Sequence, residues 1–238
     1  GVMAVYISMG VPASYLLAAS LMAAPGALVI SKIVFPETQE SETKGVVKIE
    51  GKKEQTNIMD AISHGASDGM TISINVIAML IGVIALVALV DALLGYFGLF
   101  LGWTGLSLDF IGLDVNSLRL KDVFGAFFSL FAIVMGVPVA ESFDVGSLMG
   151  TKMVINEFVA YSDLAPMIQQ GALSPKSIVI ASFALCGFAN FSSIAIQLGG
   201  IGALVPSRKA DLARLGFKAM ICGTMASYIS ASLAGILM

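Results

Sequence analysis

An all-α polytopic membrane protein is the fold class that this sequence predicts, and three observations predict it. The chain is 57% hydrophobic and 12% charged, where soluble proteins average about 25% charged. Its mean hydropathy is +0.92. Uncharged stretches run over residues 1–31, 69–90, 123–140, 177–207 and 219–238, and at ~1.5 Å per helical residue about 20 residues cross the ~30 Å hydrocarbon layer. None of these stretches shows the ten-residue alternation of an outer-membrane barrel strand, so the spans are expected to be helical.

The elements follow in order. Residues 1–35 are too long for one untilted span and contain Pro12 and Pro25; they read as the end of one helix, a turn at Gly10-Val11-Pro12, and a second helix ending near Phe35. The mixed charge of 36–56 predicts a solvated loop. Ile58, Met59, Ile62 and Ala66 recur at helical spacing opposite Asp60, His64 and Asp68, the pattern of a helix lying in the interface. Together 36–70 form a cytoplasmic loop and interfacial helix. A long scaffold helix is expected over 71–103, with Tyr96 and Trp103 at the headgroup level. Asp91, alone in that span, is a candidate proton site or intersubunit contact unless it is buried against the bundle. A loop over 104–122 carries Asp109, Asp114, Arg119, Lys121 and Asp122.

The apolar run from Val123 ends at Gly136-Val137-Pro138 and is followed by Glu141, Asp144, Lys152, Glu157 and Asp163. Charge and non-helical backbone are tolerated at membrane depth where protein or water surrounds them. Residues 119–172 are therefore expected to form a re-entrant helical hairpin, with Phe124, Phe127 and Phe128 packing inside it. Two C-terminal spans, about 175–205 and 211–238, complete a multi-pass cell-membrane protein. Most of the 13 Lys and Arg residues fall in 32–53 and 208–218. If both groups are cytoplasmic, an even number of crossings separates them, which the 71–103 and 175–205 spans and a hairpin that does not cross would supply.

Several functions are disfavoured. The net charge is −3 and the basic residues form no broad cluster, so nothing supports a nucleic-acid surface. Cys186 and Cys222 lie in apolar spans without Cys-x-x-Cys spacing and read as packing residues. Asp60, His64 and Asp68 share a helical face but lack a strong partner for a metal site, which leaves an intramembrane metalloenzyme poorly supported. No charged n-region with a cleavage site precedes the first apolar run; the chain begins inside that run, which suggests truncation.

Chemistry concentrates in two strings. Gly150-Thr-Lys152-Met-Val-Ile-Asn156-Glu157-Phe158-Val159-Ala160-Tyr161 places a lysine and a glutamate in an embedded segment. A carboxylate has acceptor oxygens enough to take two neighbouring hydroxyls, as in a sugar diol, or Glu157 could simply pair with Lys152. In Ala184 to Gly200, Asn190 and Ser193 share a helical face while Phe188 points elsewhere, so the three meet only if the helix is interrupted. Gly187, Ser192, Gly199 and Gly200 make an interruption, or a close helix approach, inexpensive.

The first string resembles the Gly-x-Lys-x-x-x-Asn-Glu-Phe-Val-Ala-aromatic signature of the concentrative nucleoside transporters. The second resembles the seventh transmembrane helix of that family, and Tyr6 to Pro12, Ala18 to Pro25 and Pro36-Glu37-Thr38 resemble its fourth and fifth helices. The chain is thus identified as the C-terminal part of a nucleoside:cation symporter, without the first three helices and the first hairpin. The resemblance implies cation-coupled nucleoside uptake by an elevator-type homotrimer in the lipid bilayer, with no covalent chemistry and no cofactor. It implies that Glu157, Phe188, Asn190 and Ser193, with Asn156, form the substrate site, the first four contacting ribose. Gly1-Val2 stands where sodium-coupled members are similar to one another in having a Ser and an apolar residue at the ion site; glycine removes a side-chain ligand and shifts the expected coupling ion from sodium toward a proton. The alternative is a membrane gate or channel module of the same fold without nucleoside coupling.

Overall fold

The computed structural model describes residues 2–38, 40, 45, 57–105 and 114–238. Gly1, most of the 36–56 loop and Asp109 lie outside the described residues. Among those described, proline, glycine and asparagine set most helix boundaries. Helix α1 (Val2–Ser8) stops at Gly10, whose φ of 99° a side chain would disfavour. Pro12 then caps α2 (Ala13–Val34). Pro25 does not break α2 as its type suggests; the helix continues through it, because one missing backbone donor can be offset where a neighbouring helix packs. There the backbone lies close to the C-terminal helix that carries Ala226, which a Cβ on Gly26 would meet at 3.6 Å.

Helix α3 (Ile58–Trp103) is continuous over 46 residues, about 69 Å at 1.5 Å per residue. The interfacial helix and the scaffold span are therefore one element: Asn57 caps its start by accepting from the Asp60 amide at 2.9 Å, and no proline interrupts it. His64 lies 3.6 Å from Asp60, and no group of three metal-ligating side chains occurs among the described residues. The most apolar stretch of α3 has none of its residues buried. Among the described residues α3 packs on the 114–120 segment and on the 191–204 helix. Gly98 and Gly102 admit the 114–118 segment, whose Val115 carbonyl would stand 2.0 Å from a Cβ on Gly98, and Asp91 accepts from the Leu120 amide at 2.8 Å. Asp91 is thus an N-terminal cap for the next helix. Nearer the start of α3, Gly199 packs on the Asn75 backbone.

The region 119–172 contains two reversals. Helices α4 (Leu120–Val134) and α5 (Val139–Val154) are joined by Met135 to Pro138, with Gly136 at φ 100°. Their backbones are nearly in contact: a Cβ on Gly146 would lie 2.6 Å from the Gly125 carbonyl, and one on Gly150 2.5 Å from that of Lys121. Phe124 stacks on Phe128 and Phe127 meets it edge-on. The second reversal is at Ile155-Asn156, where α6 (Glu157–Gln169) begins.

The expected span over 175–205 is split into α7 (Pro175–Leu185) and α8 (Phe191–Leu204) by Cys186 to Asn190. A short 3-10 turn, Pro206–Arg208, leads to α9 (Lys209–Ile236). The core lies where α5, α6, α7 and α9 meet, around Val145, Met149, Tyr161, Leu164, Ile180 and Ala231. Three helical stretches among the described residues, 13–34, 58–103 and 206–236, are long and apolar enough to cross a membrane. With the homologies below, they make this an integral membrane protein.

Candidate functional site

Two interrupted helices face each other at the site. Helix α5 ends at Val154 and α6 starts at Glu157; α7 ends at Leu185 and α8 starts at Phe191. Each interruption leaves backbone amides and carbonyls without helical partners, and both restarts use asparagine. Asn156 Oδ1 accepts from the Val159 amide at 3.0 Å, and Asn190 Oδ1 accepts from the Ser193 amide at 2.7 Å. Asparagine suits this place because its short side chain reaches the amide of the third helical residue.

The two helix starts are tied together. Asn190 Nδ2 donates to Glu157 Oε2 at 2.8 Å, with both side chains buried. The Ser192 hydroxyl lies 2.7 Å from Asn190 Oδ1 and 3.0 Å from the Ile155 carbonyl, so it can donate to either side of the junction. Glu157, in the first turn of α6 beside the start of α8, sits at two helix N-termini, where partial positive charge favours an anion. The carboxylate has lone pairs for further donors beyond Asn190.

The helix ends carry the opposite charge. Lys152, 1% exposed, donates from Nζ to the Ala184 carbonyl at 2.7 Å, close to the C-termini of α5 and α7, where negative partial charge favours a cation. It makes no direct ion pair with Glu157. At the other end of the same helices, Glu141 Oε2 accepts from the amide and hydroxyl of Ser174 at 3.0 and 2.9 Å. Helices α5 and α7 therefore run parallel, tied by a carboxylate at their starts and an ammonium at their ends. Tyr161 adds a tie from α6, donating to the Ser182 carbonyl at 2.7 Å.

Phe188 lies in the α7–α8 break and is 61% exposed. With Ser193 it lines a cavity of about 460 Å³ between α2, α8 and α9, floored by Gly187, Ala23 and Ala27. Its apolar ring could cover one face of a ligand while polar groups fix the other. The Ser193 hydroxyl donates to the Asn190 carbonyl at 2.6 Å and accepts from the Asn190 amide at 3.0 Å, which leaves it one lone pair for a further donor. Glu157 and Asn190 sit beside this cavity without lining it. Val2 is exposed on α1, and Gly1 lies outside the described residues.

Sequence reasoning passed over Ser192 as a bridging hydroxyl. It also passed over Gln197, which lines the cavity one turn beyond Ser193; the i, i+4 spacing from Ser193 was the available signal.

The sequence profile described as "Na+ dependent nucleoside transporter C-terminus" matches residues 15–235. The chain is 46% identical to the uncharacterized transporter YutK of Bacillus subtilis, over 97% of the chain and 54% of YutK. It is 39% identical to the nucleoside permease NupC of Helicobacter pylori, over 99% and 53% respectively. A double variant of CNTnw, solved in an outward-facing state, superposes with a TM-score of 0.83 at 41% identity, over 100% of this chain and 54% of that one. The chain thus spans about half the length of these relatives.

Proposed function

The chain belongs to the family of sodium-dependent nucleoside transporter C-terminal regions, and from that premise we propose that the protein containing it carries nucleosides into the cell together with a cation. The observation that carries this reading is the bond between Glu157 and Asn190 at the meeting of two helix starts. Asn190 fixes one carboxylate oxygen, and the remaining lone pairs accept from the two adjacent hydroxyls of a ribose. Phe188 and Ser193 approach the same ligand from the break, and Asn156 holds the first turn of α6 in place. The relative named as a nucleoside permease supports the substrate class.

Coupling requires that substrate and cation together stabilise one mobile state. In this reading α3 is the stationary scaffold, its bare apolar face turned toward lipid and the other subunits of a trimer. The hairpin helices, α7, α8 and α9 move past it as an elevator. The family description supports sodium as the driving ion; the glycine at position 1 argued for a proton, which needs a carboxylate rather than a cage of oxygens.

The test uses vesicles of the full-length protein with either a sodium or a pH gradient imposed. Glu157→Gln is expected to abolish or greatly weaken uridine uptake while surface expression stays intact. Wild-type uptake by that variant would remove Glu157 from the site. Uptake driven by sodium and indifferent to the pH gradient would overturn the proton reading of Gly1.

A further inference from the structure

Resting on the reading of Glu157 as the substrate carboxylate of a moving body, we infer that Lys152 is its built-in counter-charge for the unloaded half of the cycle. Once nucleoside and coupling cation have left, the ammonium offsets Glu157 and lets the empty site return. Among the described residues two charged side chains are buried, Lys152 at 1% and Glu157 at 5% exposure. They hold the two ends of one helix break. Lys152 Nζ donates to the Ala184 carbonyl at the end of α7, and Glu157 accepts from Asn190 at the start of α8.

The bond to Ala184 does not by itself call for a charge. A neutral amide could donate to the same carbonyl, and burying an ammonium costs far more than burying an amide. What the charge answers is Glu157. Opposite charges in a protein interior attract over longer distances than at a surface, because little water or salt screens them, so the two need no direct contact. The neighbouring helices supply no other cation at this level. Helix α8 carries no Asp, Glu, Lys or Arg, and α7 carries Lys176 alone, at its far end. Helix α9 meets the break at Gly223 and Ser227, past its last basic residue, Lys218.

The sign of the charge on each state follows. With Lys152 in place the buried pair sums to zero when the site is empty, and the loaded site carries the charge of the cation, sodium or proton alike. Without Lys152 the cation balances Glu157 in the loaded site, and the empty site holds an unoffset carboxylate. Charges elsewhere in the full-length protein add equally to both states. The step that suffers from the loss is therefore the return of the empty site.

Two assays on the full-length protein in vesicles separate the steps. Net uridine uptake into nucleoside-free vesicles requires the empty site to return at every turnover. Exchange of labelled uridine into vesicles preloaded with unlabelled uridine, in one sodium-containing buffer inside and out, uses the loaded site in both directions. Lys152→Gln keeps a donor for Ala184 and removes the charge. Its net uptake is expected to fall about tenfold or more, the rate effect of an unoffset buried charge, while its exchange keeps the wild-type rate. Lys152→Met, which keeps the apolar stem, serves where the glutamine variant does not assemble, and the same split is expected of it. Equal losses in the two assays overturn the inference and leave the ammonium an ordering role alone; unchanged net uptake overturns it as well. Glu157→Gln run alongside distinguishes the two levels. If it loses uptake while Lys152→Gln shows no split, the counter-charge fails alone, and if it takes up uridine as the wild type does, the reading of Glu157 fails and the counter-charge with it.

Discussion

The side-chain amide of Asn190 donates to the carboxylate of Glu157 at 2.8 Å, across 33 residues of sequence, and the same amide's oxygen caps helix α8. One side chain thus restarts a helix and aims a carboxylate.

The two jobs can be separated by substitution. Asn190→Ala loses both, and the lost cap alone is expected to cost about 0.5–2 kcal/mol, read as a lower unfolding temperature of the detergent-solubilised protein. Asn190→Asp keeps a capping oxygen but places a second carboxylate against Glu157. Any loss of stability it shows then comes from the like-charge contact rather than from the cap, and its KM for nucleoside should rise. If the Asp variant binds normally, Asn190 does not orient Glu157.

Lys152 makes the complementary case. Its ammonium donates to the Ala184 carbonyl at the end of α7 and makes no direct pair with Glu157. Lys152→Met keeps the apolar stem and leaves the carbonyl without that donor, at a cost of about 1–3 kcal/mol. Lys152→Gln retains a donor and should lose less. Unfolding of the three proteins, measured side by side, checks this order; a Met variant as stable as the wild type would show that the bond does not hold the break.

These two side chains also show how far the sequence could be read. The reversal at Gly136-Val137-Pro138 was legible, and the 187–200 string allowed an interruption, because these residue types carry turn and capping chemistry; the restart at Asn156 was not foreseen. Glu157 was singled out through a spaced motif. What stayed hidden were bonds to main-chain groups, since a carbonyl or amide has no residue identity to recognise. Lys152 to Ala184, Asp91 to Leu120 and Ser192 to Ile155 are all of this kind. Nearness in sequence suggested pairing Lys152 with Glu157, yet the reversal at Ile155-Asn156 puts one at a helix end and the other at a helix start. Pro25 misled for a related reason: its local cost was readable, and the packing of α2 on α9 was not.

The α4–α5 contact tests backbone approach directly. At Gly146 an added methyl would lie 2.6 Å from both the Gly125 carbonyl and the Ser129 amide, atoms that cannot rotate away. Gly146→Ala should therefore destabilise by about 1–3 kcal/mol. Gly200, where an added methyl would meet nothing within 4 Å, is the control, and Ala there should be neutral or stabilising by roughly 0.5–1 kcal/mol through helix propensity. Equal stability changes at the two positions would mean that α4 and α5 are not packed this closely.

The last prediction concerns the side of the membrane from which 119–172 is reached. Glu141 at the start of α5 bonds Ser174 at the start of α7, so the chain leaves this point along α5, reverses at Ile155-Asn156, and returns to it through α6. Helix α6 thus ends on the side where α5 began, whereas α4 starts at the other end, with Lys121 against Gly150. The exposed positions that bracket α5 and α6, Val134 and Ala172, should then face the same compartment. Cysteines placed singly at Val134 and Ala172, in a background with Cys186 and Cys222 replaced, are expected to react with an impermeant thiol reagent added from outside intact cells, since basic clusters at 32–53 and 208–218 facing the cytoplasm would put that compartment outside. Labelling from opposite sides would require an odd number of crossings between them and would overturn the hairpin. Labelling of both from the inside alone would keep the re-entrance and invert the orientation, placing both basic clusters outside.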